Sequence, residues 1–381
     1  MLDCRITEVR LKPLTQKPLL SIVVPTWNRV PEMVMAVESL AGQIRDGLEG
    51  RVEIIITDNA SGPDCQSAIR ALSDRFASVG YIFHEHNEGA AFQLFAACWR
   101  SRGEWTWTFG SDDVLLPGGL GLVVSKLEAE GPDFLSLNSR TYSADLSRQI
   151  YVPLLGCPDR TFDGFADLMC GVGFHQVTFI SVCVERTSVA RNIDPVKYLR
   201  IDTLFPQLLG YLEKHKNSKS VYWSKDLVVN RQHNSQAYRV DHMTQRDLGW
   251  ETPIAIMGFS QLYGIQDDFF EQINGDDRVQ DYSPPLITFV DVMFKNMLLA
   301  ISNEFFIRPA QIYRMKEILE NCRPYRSEQF DNICRINNEA VELYNDFDRD
   351  QTDLYGRKRL LETYMEGVRI KGRQWKKNQT C

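Results

Sequence analysis

The sequence lacks any pair of cysteines in a Cys-x-x-Cys spacing, and its cysteines number nine, which is odd. A small disulfide framework uses an even number of cysteines, and thiolate zinc sites commonly place two ligands in that spacing. Neither a disulfide framework nor a thiolate zinc site is therefore expected. Because structural disulfides are rare in reducing compartments, unpaired cysteines favour a cytoplasmic location.

Long hydrophobic runs are also missing. The longest stretch without Asp, Glu, Lys or Arg covers residues 168–184, which is 17 residues long and contains four polar side chains. A transmembrane helix needs about 20 predominantly apolar residues. Residues 1–20 carry charges throughout and lack the apolar stretch of a signal peptide. The sequence therefore predicts a chain that neither spans a membrane nor is secreted.

An excess of basic residues is absent as well, since 43 Lys and Arg face 50 Asp and Glu, for a net charge of −7. A general nucleic-acid-binding protein would need a basic face, so no nucleic-acid partner is expected. Residues 357–381 are an exception, because they hold eight basic and two acidic residues, a net charge of +6 that leaves −13 for the rest. Apolar side chains between these charges predict peripheral contact with the anionic inner face of the cytoplasmic membrane. A solvated charged end is the alternative.

What the sequence does contain is an alternation of strand and helix patterns. Short apolar runs predict buried strands at residues 19–25, 52–57, 81–83 and 104–109, and helical periodicity predicts helices at residues 31–47, 64–76 and 89–100. This alternation predicts an α/β fold, a Rossmann-like open sheet with helices on both faces. We expect His84 and His86 to lie on its surface and His175 in its core. Trp105, Trp107 and Phe109 fit a core better than a sugar-binding platform.

The pattern changes further along the chain. Helices are predicted after Pro117 and at residues 201–213, and strands at residues 134–137, 177–184 and 227–230, which would complete the same sheet. The segments 289–307, 309–319, 337–346 and 352–368 predict helices. We therefore divide the chain into a domain of residues 1–240 and a mainly helical C-terminal region of residues 241–381.

Polar clusters follow three of the predicted strands. They are Thr-Trp-Asn-Arg at residues 26–29, Asp-Asn-Ala-Ser at residues 58–61 and Ser-Asp-Asp at residues 111–113. Each cluster alone is also compatible with a simple turn leading into a helix. Because open α/β sheets bind ligands at the carboxyl ends of their strands, the three clusters together predict one binding crevice.

The adjacent acids Asp112 and Asp113 suggest a cation site. Two carboxylates at a strand end repel each other unless a cation lies near them, and a hard divalent ion binds both carboxylate and phosphate oxygens. Mn²⁺ or Mg²⁺ at this position would neutralise a pyrophosphate leaving group. The alternative is an Asp-Asp turn that caps the helix after Pro117.

Four motifs resemble, in order, those of inverting family 2 glycosyltransferases of the GT-A fold. Pro25-Thr26-Trp27-Asn28-Arg29 is similar to Pro-Thr-x-Asn-Arg, Asp58-Asn59-Ala60-Ser61 to Asp-[Asp/Asn]-x-Ser, Asn87-Glu88-Gly89 to Asn-x-Gly, and Ser111-Asp112-Asp113 to the DXD metal motif. The resemblance covers residues 19–235. It implies a GT-A domain, the nucleotide-diphospho-sugar transferase fold.

The resemblance also implies a nucleotide-sugar site. Its residues would be Pro25, Thr26, Asn28, Arg29, Asp58, Asn59, Asn87, Gly89, Ser111 and Asp112. Asp58 would accept a hydrogen bond from the base, Asp112 would lie by the ribose or the sugar, and Asp113 would bind the metal. His233, in a segment similar to the family's Arg-x-His, is a second metal candidate, with a chance surface position as the alternative. Ser111 replaces the first acid of the usual motif, which leaves fewer metal ligands.

An inverting transfer needs a general base that deprotonates the acceptor hydroxyl. In the family this base is usually an acid that begins a helix well after the metal motif, and Asp202 is the best positional match. An N-cap aspartate is an equal alternative for Asp202. Asp163 and Asp167 are weaker candidates, and Glu185 is predicted to open a different helix.

The leading hypothesis is a metal-dependent inverting glycosyltransferase. It would transfer a sugar from a nucleotide-diphosphate sugar to a glycan or polyprenyl-linked acceptor in bacterial O-antigen, capsule or other surface-polysaccharide synthesis. One alternative is a catalytically silent nucleotide-sugar-binding scaffold, for which Ser111 is the only hint. Another is a sugar nucleotidyltransferase, which is disfavoured because residues 26–30 contain no glycine for a phosphate loop. The helical region could shape the acceptor side or a homo-oligomer contact.

Overall fold

The computed structural model describes residues 5–45, 47–143, 145–151, 157–172, 174–199 and 206–232, together with Arg335 and Asn338. The described stretches up to residue 232 belong to one compact unit, formed by residues 1–201 and 206–234. The boundary predicted near residue 240, the C-terminal helices and the basic tail lie outside the described residues, except that Asn338 is helical. The two-domain division of the chain therefore stays a prediction.

The compact unit combines strands and helices. The strands are β1 (Ile6–Arg10), β2 (Leu20–Thr26), β3 (Val52–Asp58), β4 (Val79–His84), β5 (Trp105–Thr108), β6 (Val114–Leu115), β7 (Phe134–Ser143), β8 (Gln149–Tyr151), β9 (Arg160–Phe162), β10 (Cys183–Arg186) and β11 (Ser220–Gln232). The helices are α1 (Val30–Ala41), α2 (Pro63–Arg75), α3 (Gly89–Arg100), α4 (Gly119–Glu130), α5 (Phe165–Val172), α6 (Phe174–Thr178), α7 (Thr187–Ala190), α8 (Pro195–Leu199) and α9 (Pro206–Lys214), with a 3₁₀ turn at Ile180–Val182. Strand and helix alternate regularly from β2 to β5, as the sequence predicts.

The described strands form one mixed sheet. Its order is β1-β4-β3-β2-β5-β10-β7-β11-β6, with β8 paired to β7 and β9 to β11. The central strands β4, β3, β2 and β5 are parallel, because a helix returns the chain between each consecutive pair. The strand β10 runs antiparallel between β5 and β7. The predicted open α/β sheet is therefore confirmed.

Apolar burial explains the position of the central strands. All seven residues of β3 are buried, as are six of the seven residues of β2, which is the pattern of strands covered on both faces. The helices α1 and α2 each have proline in the first turn, where its missing N–H costs nothing. Trp107 and Phe109 are fully buried and meet edge to face at 5.3 Å, and Trp105 is also buried. Their predicted core role is confirmed.

Three predictions about this unit are wrong. Residues 177–184 are not one strand, because α6 ends at Thr178, a 3₁₀ turn follows, and β10 begins only at Cys183. A short apolar run does not distinguish a buried strand from a buried helix. Glu185 opens no helix but lies in β10. His84 is not on the surface, since it is 2% exposed at the end of β4, whereas His86 is exposed as predicted.

The edge strand β1 lies in a segment that the sequence indicates only as a charged arm. It pairs antiparallel with β4, and Glu8 holds Arg70 of α2. Its apolar residues Ile6 and Val9 are separated by charged residues and are both exposed, so the sequence shows no buried-strand pattern here. Charged residues are common on edge strands, where they discourage pairing with other chains.

Candidate active site

The polar clusters of β2 and β3 lie side by side. Thr26 is paired with Asp58 in the parallel register, so both strands end at the same level. Thr26 is buried, and its Oγ1 has no hydrogen-bond partner within the described part of the chain. Pro25, one residue earlier, is half-buried and pairs with Thr57. The predicted convergence of these two clusters is therefore seen in the structure.

Asn28 fixes the loop after β2 against the loop after β3. Its backbone N–H donates to Ser61 Oγ at 2.8 Å, and its Oδ1 accepts from the Gly62 N–H at 2.9 Å. Asn28 adopts a φ of 51°, a left-handed conformation that asparagine tolerates better than most residues. The two loops are thus held together before any ligand arrives.

Asp58 is the most deeply buried acid of these loops, with an exposure of 0%. Its carboxylate accepts hydrogen bonds from the Ser61 N–H at 3.1 and 3.3 Å. Burial raises the pKa of Asp58, and the hydrogen bonds from Ser61 and Gln66 oppose that shift. A buried carboxylate with few partners is suited to accept an N–H group from a ligand.

The third motif joins the site through Asn59. Asn59 Nδ2 donates to Asn87 Oδ1 at 2.6 Å, and Asn59 Oδ1 accepts from the Glu88 N–H at 2.9 Å. Asn87 Oδ1 also accepts from the N–H of Gly89, at 2.9 Å. Gly89 begins α3 with a φ of 83°, a conformation that residues other than glycine rarely adopt. The end of β3 and the start of α3 are therefore one hydrogen-bonded unit.

Asp112 lies between two arginines. Arg29 Nη1 donates to Asp112 Oδ2 at 2.6 Å, which brings the loop after β5 to the loop after β2. Arg231, from β11, donates through Nε to the backbone carbonyl of Asp112 at 2.6 Å. Arg231 is buried, and its Nη2 has no hydrogen-bond partner among the residues described. Two guanidinium groups at one strand end favour an anionic ligand such as a diphosphate.

Asp113 points into the protein instead. It is 4% exposed, and its carboxylate accepts a hydrogen bond from Ser181 Oγ. The same Ser181 Oγ accepts from the Gly110 N–H at 2.7 Å. Burial, and then the charge of Asp112, raise the pKa of Asp113 well above its ordinary value. Asp112, with a quarter of its side chain exposed, is thus the carboxylate that a ligand can reach.

Gly110 and Ser111 directly precede these two acids in the sequence. A Cβ at Gly110 would lie 2.5 Å from Asp113 Oδ2, so a larger residue there would displace this carboxylate. Ser111 is itself buried. Among the described residues, no group of three or more His, Cys, Asp or Glu side chains could hold a metal ion. Mg²⁺ is nevertheless commonly bound by one or two carboxylates together with substrate phosphates, and Asp112 fits that use.

The remaining predicted residues fall into two groups. Asp202 and His233 lie outside the described residues. Asp163 and Asp167 are exposed near the start of α5. Glu185 is buried, forms an ion pair with Lys214 at 2.5 Å and is hydrogen-bonded to His215 Nε2 at 2.8 Å, so that its carboxylate is already engaged.

The structure adds residues that the sequence reading missed. Trp27 is 53% exposed beside Thr26, and a large aromatic ring exposed at a strand end is a signal for ligand stacking. Arg231 lies in the segment that resembles Arg-x-His, of which the sequence singles out only His233 as a site residue. Ser181 gave no signal, because its contact with Asp113 spans 68 residues of sequence.

Comparisons with known proteins agree with this geometry. Residues 21–180 match the family model of Glycosyl transferase family 2. The abequosyltransferase RfbV of Salmonella typhimurium is 27% identical over 118 residues, which are 31% of this chain and 35% of that protein. The match thus spans about a third of the length of this curated relative.

Solved structures show the fold. S. aureus TarS 1–349 has a TM-score of 0.57 at 14% sequence identity, covering 93% of this chain and 91% of that one. The same TarS fragment in complex with UDP-GlcNAc gives a TM-score of 0.57, also at 14% identity, with coverages of 93% and 92%. The predicted GT-A-type α/β fold is confirmed by these neighbours. Residues 21–180 of this chain are therefore similar to Glycosyl transferase family 2, on an α/β sheet that the TarS structure shares.

Proposed function

We propose that this chain is a metal-dependent inverting glycosyltransferase that transfers a sugar from a nucleoside diphosphate sugar to a glycan or lipid-linked acceptor. The convergence of three motif loops at one sheet edge supports this proposal most directly. Thr26 and Asp58 are paired there, and Arg29 reaches Asp112 at 2.6 Å. The fold neighbour TarS, which was solved with UDP-GlcNAc, is consistent with a nucleotide-sugar donor.

The donor would occupy the edge from β3 to β5. Asp58 would accept an N–H of the base, and the exposed ring of Trp27 would stack on the base face. Arg29 and Arg231 would donate to the diphosphate oxygens, since a guanidinium group matches phosphate geometry well. In this arrangement Arg29 gives up part of its contact with Asp112 when the anionic donor binds.

Asp112 would hold the metal. The sequence favours Asp113 for this role, but Asp113 is buried against Ser181 whereas Asp112 is half-buried at the mouth of the site. Mn²⁺ or Mg²⁺, when bound, would supply positive charge that stabilises the leaving diphosphate. His233 remains a candidate second ligand outside the described residues. We assign Asp113 a positioning role, in which it orients the loop that carries Asp112.

The transfer itself needs a base near the acceptor. The acceptor hydroxyl oxygen would attack the anomeric carbon as the bond from that carbon to the diphosphate oxygen breaks. The hydroxyl proton would pass to a carboxylate, and the nucleoside diphosphate would leave with the bonding electron pair. Asp202 is our candidate for this carboxylate.

The relative suggests the class of sugar that is transferred. RfbV is named as an abequosyltransferase, and abequosyl transfer suggests a deoxyhexosyl- or hexosyl-type reaction for this chain also. We propose that the acceptor is a glycan or polyprenyl-linked glycan of a bacterial surface polysaccharide, such as O-antigen or capsule.

A donor-hydrolysis assay tests the proposed activity. The protein would be incubated with UDP-, GDP-, CDP- and dTDP-sugars, with Mn²⁺, Mg²⁺ or EDTA, and release of the nucleoside diphosphate would be measured. We expect slow release from one donor class that depends on the metal. Binding of a donor without any turnover would favour the silent scaffold instead. Formation of a sugar nucleotide from a sugar phosphate and a nucleoside triphosphate would favour a nucleotidyltransferase.

Variants separate the two aspartates. Asp112→Asn should raise the Mn²⁺ concentration that gives half-maximal donor hydrolysis at least about tenfold, since a charged ligand is lost. Asp113→Asn keeps an oxygen that accepts from Ser181 and should change that concentration little. The exposed Asp74→Asn serves as a control for a general charge effect. A larger shift for Asp113→Asn than for Asp112→Asn would restore Asp113 as the ligand.

The acceptor base has its own test. Asp202→Asn should retain donor binding but lose transfer to the acceptor. Full transfer activity in this variant would remove Asp202 as the base.

The basic tail would place the enzyme at its acceptor. Among the residues described, no helix is long and apolar enough to cross a membrane. We propose that residues 357–381, with a net charge of +6, bind the anionic inner face of the cytoplasmic membrane. Sedimentation with phosphatidylglycerol vesicles should fall strongly when residues 357–381 are deleted, and equal sedimentation would exclude the tail as the anchor.

The helical region would contribute to assembly. We propose that residues 241–356 shape the acceptor side or form a homo-oligomer contact. Light scattering of the full chain should then give a mass above 43.8 kDa if the oligomer forms. A mass equal to that of the monomer would exclude the oligomer contact and leave shaping of the acceptor side as the proposed role of this region.

A further inference from the structure

A chain of buried amides runs inward from the proposed donor pocket. Gln93, on the second turn of α3, is 3% exposed. Its Nε2 lies 3.0 Å from Asn59 Oδ1 and 2.6 Å from His84 Nδ1. His84 is 2% exposed and packs edge to face against Phe92 at 6.0 Å. Neither Gln93 nor His84 belongs to a motif of the family.

With His84 in the neutral tautomer that carries its hydrogen on Nε2, the ring nitrogen 3.4 Å from Arg100 Nη2, the donors and acceptors between His84, Gln93 and Asn59 have one direction. An amide nitrogen has two hydrogens, so Gln93 Nε2 can donate to Asn59 Oδ1 and to His84 Nδ1 together. With its Oδ1 filled in this way, the Asn59 amide can only turn its Nδ2 toward Asn87, where it donates at 2.6 Å. Gln93, together with the Glu88 N–H that donates to the same oxygen at 2.9 Å, therefore fixes which end of the Asn59 amide faces the loop of Asn87.

We infer that Gln93 and His84 are positioning residues that pre-order the donor pocket, with His84 holding Gln93 and Gln93 holding Asn59. This inference rests on the proposed function, because Asn59 and Asn87 are placed in the donor site by it. A pocket that is ordered before binding spends less conformational entropy on its ligand. Without Gln93, only the Glu88 N–H donates to Asn59 Oδ1, so the Asn59 amide is less firmly held as an acceptor.

Burial supports the acceptor role of His84. Burial, and then the charge of Arg100, lower the pKa of His84 to about 4. The ring is therefore neutral at neutral pH, and Nδ1 has a free lone pair for the Gln93 amide. A protonated ring would present a second donor to Gln93 Nε2 and break the chain.

The first test needs no ligand. Gln93→Leu preserves the volume but removes the amide, and hydrogen exchange of the Glu88 and Gly89 amides should become at least about tenfold faster, because their acceptors Asn59 Oδ1 and Asn87 Oδ1 are less firmly held. Ser73→Ala is the matched control. It removes one buried hydrogen bond, from Ser73 Oγ to Val79 O, at the opposite end of β4. Equal exchange at Glu88 and Gly89 in the two variants would overturn the inference.

The second test measures donor binding by calorimetry with UDP, GDP, CDP and dTDP in the presence of Mn²⁺. Gln93→Leu should weaken binding of the nucleotide that the wild type prefers by about five- to tenfold. It should raise the KM for the donor more than it lowers kcat, whereas Ser73→Ala should change neither.

A double variant identifies the route. In an Asn59→Ala background, Gln93→Leu should have no further effect on binding, because its partner is gone. Additive losses would mean that Gln93 acts through general stability and would refute the positioning role. If the wild type bound none of the four nucleotides, the proposed function itself would fail. Binding that is equal in wild type and Gln93→Leu would refute only the inference drawn here.

Discussion

His84 should make the stability of this protein depend on pH in a defined direction. Its pKa falls from 6.5 to about 4 in the folded protein, because burial and then the charge of Arg100 disfavour the imidazolium form. The folded protein therefore binds fewer protons than the unfolded chain between these values. Stability attributable to His84 is complete above pH 6.5 and is lost as the pH falls toward 4. At about 1.36 kcal/mol per pKa unit, the full difference is about 3 kcal/mol.

The substitution His84→Gln isolates this contribution. Glutamine does not titrate, and its carbonyl oxygen can still accept from the Gln93 amide. The difference in the free energy of unfolding between wild type and variant should thus shift by about 3 kcal/mol in favour of the wild type from pH 4 to 7. Urea titrations followed by tryptophan fluorescence at about pH 4.5, 5.5, 6.5 and 7.5 would measure it. Other groups, including the buried His215, are common to both proteins and cancel in the difference.

Parallel pH profiles for the two proteins would refute this reasoning. They would mean that His84 is hydrated enough in solution to keep an ordinary pKa. A shift of the opposite sign, with the wild type gaining stability at low pH, would mean that a carboxylate pairs with the imidazolium. Direct titration of the His84 ring by NMR would distinguish the two outcomes.

Three further variants or conditions test other parts of the structure. Glu185→Gln leaves the buried ammonium of Lys214 unpaired and should lower the free energy of unfolding in urea by about 3–5 kcal/mol, and adding Lys214→Met should recover part of that loss. Gly110→Ala should push Asp113 aside and reduce donor hydrolysis at least about tenfold, whereas Gly121→Ala, whose Cβ meets open space in α4, should stabilise the protein by about 0.5–1 kcal/mol and leave hydrolysis unchanged. Because burial raises the pKa of Asp58, nucleotide binding measured by calorimetry should weaken on acidification already above the ordinary 3.8, and binding that is constant with pH would argue against the base contact.

The sequence predicted the central sheet well because its strands are local signals. Each run from β2 to β5 is apolar, short and bounded by turn residues, and each is covered on both faces, so that the pattern needs no knowledge of distant contacts. The same locality explains the predicted positions of the motif clusters, since a parallel sheet aligns its strand ends. The prediction failed at residues 177–184, where the apolar run is divided between a helix, a 3₁₀ turn and a strand.

His84 shows what a local pattern cannot reveal. It is followed by Glu85 and His86 at the end of a strand, and a run of polar residues at that position is typical of a solvated surface. Its burial depends on α3 returning across β4, with Phe92 and Gln93 covering the ring. Nothing within a few residues of His84 records this contact. The same holds for Arg231, which reaches Asp112 across 119 residues of sequence.

The two adjacent aspartates are the strongest case of this limit. From the sequence spacing alone, Asp112 and Asp113 are equally plausible metal ligands, and the resemblance to the metal motif favours Asp113. The distinction is set by Ser181 and Gly110, because Ser181 supplies a buried donor for Asp113 and Gly110 leaves room for that carboxylate to turn inward. While Asp113 Oδ2 is engaged by Ser181, Asp112 Oδ2 accepts a hydrogen bond from Arg29. An acid that binds a cation must remain ionised and reachable, and burial raises the pKa of Asp113 while leaving Asp112 partly exposed. In our proposal, the role of metal ligand and the positioning role are divided between these two carboxylates, and Ser181, which the motif does not contain, sets that division.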